Sequence, residues 1–170
     1  MPTTFTPDQF AAAVRAAAST NPTFVYPDGK KFSFDYLGKV SNETSPRTGT
    51  PINGASCAYF DPTSEENVPL CLFGAALHIL GWTPADVSEG KIINTLLPLT
   101  EAWSSVRDAS ALAQEAQDEG WSWGIAVRVF DYALDHSKGS GLRGVVAALG
   151  LTEADKGVNG DGEGHTGDQV

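Results

Sequence analysis

The chain has 170 residues, two cysteines and a formal net charge of −10, with 21 Asp and Glu against 11 Lys and Arg. That length points to one domain with a sizeable core. An acidic body lacks the cations that neutralise phosphates, which argues against ordinary nucleic-acid or anionic-membrane binding. It stays compatible with nucleic-acid mimicry, with a basic partner, or with plain solubility, the last being the default reading. Two cysteines do not make a disulfide framework. The N-terminus shows no basic run followed by an apolar one, and no apolar run approaches about 18 residues. The expectation is therefore a cytoplasmic protein with reduced thiols.

In chain order, Thr6-Pro7-Asp8-Gln9 opens a helix with an N-cap hydroxyl, a first-turn proline and an acid at the positive dipole end. That helix runs to about Ser19, anchored by Phe10 and Val14 among alanines of high helix propensity. Thr23–Tyr26 and Lys31–Phe34 flank the turn residues Pro27-Asp28-Gly29-Lys30, which predicts a short β-hairpin. Residues 41–56 read as an irregular polar loop, Cys57–Phe60 as a short strand able to join the hairpin, and 61–67 as a second loop.

Pro69 to Gly81 is an almost uncharged helix with Leu70, Phe73, Leu77 and Leu80 on one face. Cys71, Ala75 and His78 form the neighbouring stripe, and Gly74 leaves room for another backbone. Thr83-Pro84 starts a further short helix, and Ile92–Leu99 is apolar. Thr100-Glu101 opens the longest helix, to Glu119, with Val106, Ala109, Leu112, Ala113 and Ala116 inward. Gly120 ends it, and Ser122 caps a helix carrying Trp123, Val127, Phe130 and Leu134. So short a connection makes the two helices antiparallel neighbours. Gly141–Leu149 forms a last small helix. The expected fold is thus α+β and mostly helical, with four to five helices and a short hairpin. Residues 1–151 form one globular domain, and 152–170 an acidic, glycine-rich disordered tail.

Three clusters carry candidate chemistry. Cys71 near a helix start would gain thiolate character from the dipole, but His78 lies two turns on, roughly 10 Å away along the axis. Any base would have to be His136 or a group not identified, and core packing is the expected role of Cys71. Cys57, Cys71, His78 and His136 have the softness for zinc, yet no close Cys or His pair nucleates a site. No cofactor is therefore expected. His165 falls in the tail.

The third cluster is the corner from Gln114 to Trp123. Gln114 and Gln117 share a face, followed by Asp118, Trp121 and Trp123, so amides, a carboxylate and an indole could line a binding pocket. The candidate binding residues are Gln114, Gln117, Asp118 and Trp121. The favoured alternative has Asp118 satisfying N–H groups at the next helix start and the tryptophans wedging the corner. Placed on a helical wheel, Trp123 should be buried and Trp121 partly exposed.

Cys57-Ala58-Tyr59, the Pro69–Gly81 block and Ala113–Val127 together resemble a group of small proteins of actinobacteria and, above all, their phages. Those carry a Cys-Leu-x-Gly helix (here Cys71-Leu72-Phe73-Gly74) followed by a Gln-x-x-Gln-Asp-x-Gly corner (here Gln114 to Gly120). The resemblance covers roughly residues 55–135 and transfers no catalytic residue. It implies a cytoplasmic phage accessory protein. The expected function is non-catalytic binding of a host or phage protein. The alternative is a small ligand-binding protein or Cys-dependent hydrolase using the Cys71/His78 region or the Gln114–Trp123 corner.

Overall fold

The computed structural model describes residues 4–25, 33–34, 40–41, 59–61, 66–87, 93–136 and 140–156. Among these the protein is mostly helical, with six α-helices: α1 (Pro7–Thr20), α2 (Leu72–Ile79), α3 (Ile93–Leu96), α4 (Ser104–Asp118), α5 (Trp123–His136) and α6 (Leu142–Ala148). Two single 3-10 turns, Glu101–Trp103 and Glu153–Asp155, precede α4 and follow α6. α4 and α5 form the largest helix pair; α1 packs on α2 and α5, α3 on α4, and α6 on both α4 and α5.

The hairpin expected over 23–34 is not shown, because its turn and much of its flanks lie outside the described residues. Ser33–Phe34 pairs antiparallel with Val40–Ser41 over two residues, and Val25 makes an isolated bridge to Ser122. Cys57 also lies outside the described residues. Phe60 bridges Pro69, with Leu70 N–H donating to Tyr59 O at 2.9 Å and Asp61 N–H to Val68 O at 2.8 Å. This bridge lays the Tyr59 backbone across α2. A Cβ built on Gly74 would stand 2.0 Å from Tyr59 O, so only glycine allows the crossing.

Helix starts follow local sequence. Thr6 and Gln9 form a complete capping box on α1. Helix stops follow it as closely. Gly81, Gly120 and Gly150 all have φ between 66 and 90°, and each closes a Schellman motif. In α4, Trp121 N–H donates to Ala116 O and Gly120 N–H to Gln117 O; Trp82 and Leu151 repeat the longer bond after α2 and α6. In each case an apolar residue follows the glycine and turns back onto the core.

Two boundaries differ from expectation. The central helix begins at Leu72, not Pro69, because Cys71 is its N-cap in extended conformation (φ −128°, ψ 165°) and Leu70 is held by the Tyr59 backbone. The long helix is broken at its start by the 3-10 turn that buries Trp103. There, Phe5, Phe10, Phe73, Trp82 and Trp103 form an aromatic cluster with ring centroids 5.6–6.2 Å apart. These edge and offset contacts add to the burial of large apolar area. Phe10 and Val14 are fully buried as expected, and α5 turns Trp123, Ala126, Val129, Phe130 and Ala133 inward. No helix among the described residues is long and apolar enough to cross a membrane.

Candidate functional site

Gln114 and Gln117 sit on the inward face of α4, at 5% and 2% exposure. Each amide does the work of a helix cap. Gln117 Oε1 accepts from Leu72 N–H at 2.8 Å, the first residue of α2, and Gln114 Oε1 accepts from Ile93 N–H at 2.7 Å, the first of α3. First-turn N–H groups have no partner within their own helix, and burial makes an unanswered donor costly. The three-residue spacing therefore matches two helix starts stacked against α4. Ser110 continues this buried polar row by donating to Val106 O within the helix.

Cys71 is buried, at 4% exposure, and its Sγ accepts from Gly74 N–H at 3.2 Å, so the sulfur is a third internal cap. His78, on the same helix, is exposed and meets the Phe60 ring edge-on at 6.2 Å. His136 is exposed at the end of α5, its Nδ1 3.0 Å from Tyr132 O and its ring stacked on Tyr132. The structure thus leaves a buried thiol and two exposed imidazoles that are not gathered around it. No group of three or more His, Cys, Asp or Glu residues with metal-binding geometry occurs among the described residues.

The α4–α5 corner departs from the helical-wheel expectation. Trp121 is not partly exposed but buried to 1%, and Trp123 to 5%. Trp121 belongs to neither helix. It is the residue after the Schellman glycine, and its backbone bond to Ala116 O folds its indole inward. Trp123 opens α5 and packs on Phe24, with ring centroids 4.9 Å apart. Both indole Nε1 atoms are buried without a hydrogen-bond partner among the described residues, as is Asn94 Oδ1.

Asp118 does not cap α5 as expected. The first N–H groups of α5 go elsewhere: Trp123 N–H donates to Phe24 O at 2.9 Å and Gly124 N–H to Pro22 O at 2.8 Å. Ser122 Oγ accepts weakly from Ile125 N–H at 3.4 Å. The Asp118 side chain reaches the surface at the edge of the outer face of α4 that carries Asp108 and Glu115. Its pKa is pushed up to about 6, first by partial desolvation at the corner and then by the neighbouring Glu115 carboxylate. Among the described residues, Asp108, Glu115 and Asp118 make no ion pair.

Sequence reasoning missed Lys156. Residues 152–156, beyond the domain boundary expected at 151, form a capped turn in which Asp155 Oδ2 accepts from both Thr152 N–H and its hydroxyl. That turn carries Lys156 to the corner, with Nζ 5.4 Å from the Trp121 ring centroid and 3.8 Å from Glu119 Oε2. The rest of the expected tail, 157–170, lies outside the described residues. A signal was present. Gly150-Leu151-Thr152-Glu153-Ala154-Asp155 repeats the pattern of Gly81-Trp82-Thr83-Pro84-Ala85-Asp86, where Asp86 Oδ2 accepts from Thr83 in the same way.

Comparison of the chain with protein-family models, curated proteins and solved structures gives no match.

Proposed function

We propose that this is a non-catalytic phage accessory protein that acts in the host cytoplasm by binding a basic segment of a host or phage protein. The observation that carries the reading is the division of labour on α4. Its inward polar groups, Gln114 and Gln117, are consumed as caps for α2 and α3. Its outward face presents Asp108, Glu115 and Asp118, with no ion-pair partner among the described residues. Carboxylates aligned along one helix face make a field that attracts cationic surfaces and speeds encounter. The pKa of Asp118 is raised first by partial desolvation at the corner, and the adjacent Glu115 carboxylate adds to it as the second cause. Phage context is supported by the resemblance of the Cys71–Gly74 and Gln114–Gly120 blocks to small actinobacteriophage proteins.

The test is capture on immobilised full-length chain from an actinobacterial lysate, compared with the Asp108→Asn, Glu115→Gln, Asp118→Asn triple variant. The wild type should retain a specific basic protein that elutes with rising salt, and the triple variant should lose it. Equal retention by both would remove α4 as the binding face. Retention of nothing specific would remove the function.

A further inference from the structure

Lys156 brings one ammonium group to the acidic end of α4, where Glu115 and Asp118 occupy the last helical turn and Glu119 is the C-cap. Its side chain retains only 27% exposure. Three contacts hold it: the Trp121 indole face at 5.4 Å, Glu119 Oε2 at 3.8 Å and Glu153 Oε2 at 3.0 Å. An indole face attracts an ammonium through its quadrupole, and the carboxylates add a second, directional attraction. Trp121 is a rigid platform, since its backbone is fixed by the bond to Ala116 O and its ring is packed in the core. The Lys156 side is a separate short element. It hangs from a one-turn 3-10 helix, and no α-helix has to break for it to leave.

We propose that the Trp121–Glu119 corner is a receptor for a lysine side chain of a basic partner, and that Lys156 is the internal stand-in that occupies it in the free protein. This rests on the reading of the protein as a binder of basic protein segments, and it names the contact that makes such binding selective for lysine. The corner carries more negative charge than one ammonium neutralises, so a multiply charged partner segment competes well against a single tethered lysine. Each contact of Lys156 is of a weak, exchangeable kind. The internal lysine therefore lowers apparent affinity by occupying the competent site, as any competing closed state does.

Full-length protein is titrated with a fluorescent oligolysine peptide at low salt, while the indole N–H resonance of Trp121 is followed by NMR. Its buried N–H has no hydrogen-bond partner among the described residues, so its shift responds to changes at the ring. Lys156→Ala should tighten oligolysine binding about threefold to tenfold by removing the competitor, and the Trp121 resonance should move on peptide addition. Adding Glu119→Gln to Lys156→Ala should reverse the gain. Glu119 is a surface residue, so this variant keeps the test valid even where a change at Trp121 would unfold the protein. If oligolysine binds but Lys156→Ala leaves affinity unchanged or weaker, the corner is not the receptor, while the broader acidic-face reading survives. If oligolysine binds neither protein, both fall together.

Discussion

Gln117 shows how much can hang on one amide. Replacing it with leucine keeps the volume but leaves Leu72 N–H buried without an acceptor. The expected loss is about 1–3 kcal/mol, the usual penalty for stranding a buried donor; Gln117→Glu keeps an acceptor but buries a charge and should also destabilise. Urea unfolding of Gln117→Leu checks this, and a loss below a few tenths would mean that water replaces the cap. Asp118 behaves oppositely. Its folded-state pKa of about 6 lies above the ordinary 3.8, so ionisation favours the unfolded chain. This group costs the fold nothing below about pH 4, and the cost grows as pH rises to about 6. Asp118→Asn should stabilise the protein at pH 7 by about 0.5–1 kcal/mol, a value discounted because the carboxyl reaches solvent. The gain should vanish near pH 4 in thermal melts, and a pH-independent gain would point to something other than charge.

At the scale of elements, the local grammar was readable and the distant partners were not. Thr6-Pro7-Asp8-Gln9 and the glycines at 81, 120 and 150 are start and stop signals, and each sits where its motif places it. Such signals act within about one helical turn. The buried glutamines were legible as unusual but not as caps, because their N–H partners lie 45 and 21 residues earlier in the chain. Apolar periodicity also passed over Ser110, which hides its hydroxyl on its own helix. For Trp121 the error was geometric. A wheel drawn through Gly120 treats Trp121 as helical, whereas the Schellman turn takes it out of both helices and folds it inward. The two tryptophans should consequently respond alike. Trp121→Ala and Trp123→Ala are each expected to cost about 3–5 kcal/mol in denaturant unfolding. A tolerant Trp121→Ala would show that the corner contributes little to the core.

Across the whole molecule, stability is shared between sequence-distant pieces. α1 supports α2, the Pro22 and Phe24 carbonyls start α5, and Arg15 on α1 meets Asp131 on α5 at 2.8 Å. The candidate chemistry was only partly legible for the same reason. Which of Cys71, His78, His136 and the corner residues meet is decided by tertiary packing. In the fold the thiol and both amides turn inward, and the acids of α4 face out.

The two glutamine caps carry a consequence for the order of events during synthesis. α2 and α3 are synthesised before the residues that accept their first N–H groups have been joined to the chain. At roughly 5–20 residues/s, the 45-residue gap to Gln117 amounts to about 2–9 s. During that interval the helix start at Leu72 must remain hydrated, since only water can answer its donor. The nascent N-terminal half therefore cannot close its core ahead of α4, and α4 locks both earlier helices as it arrives.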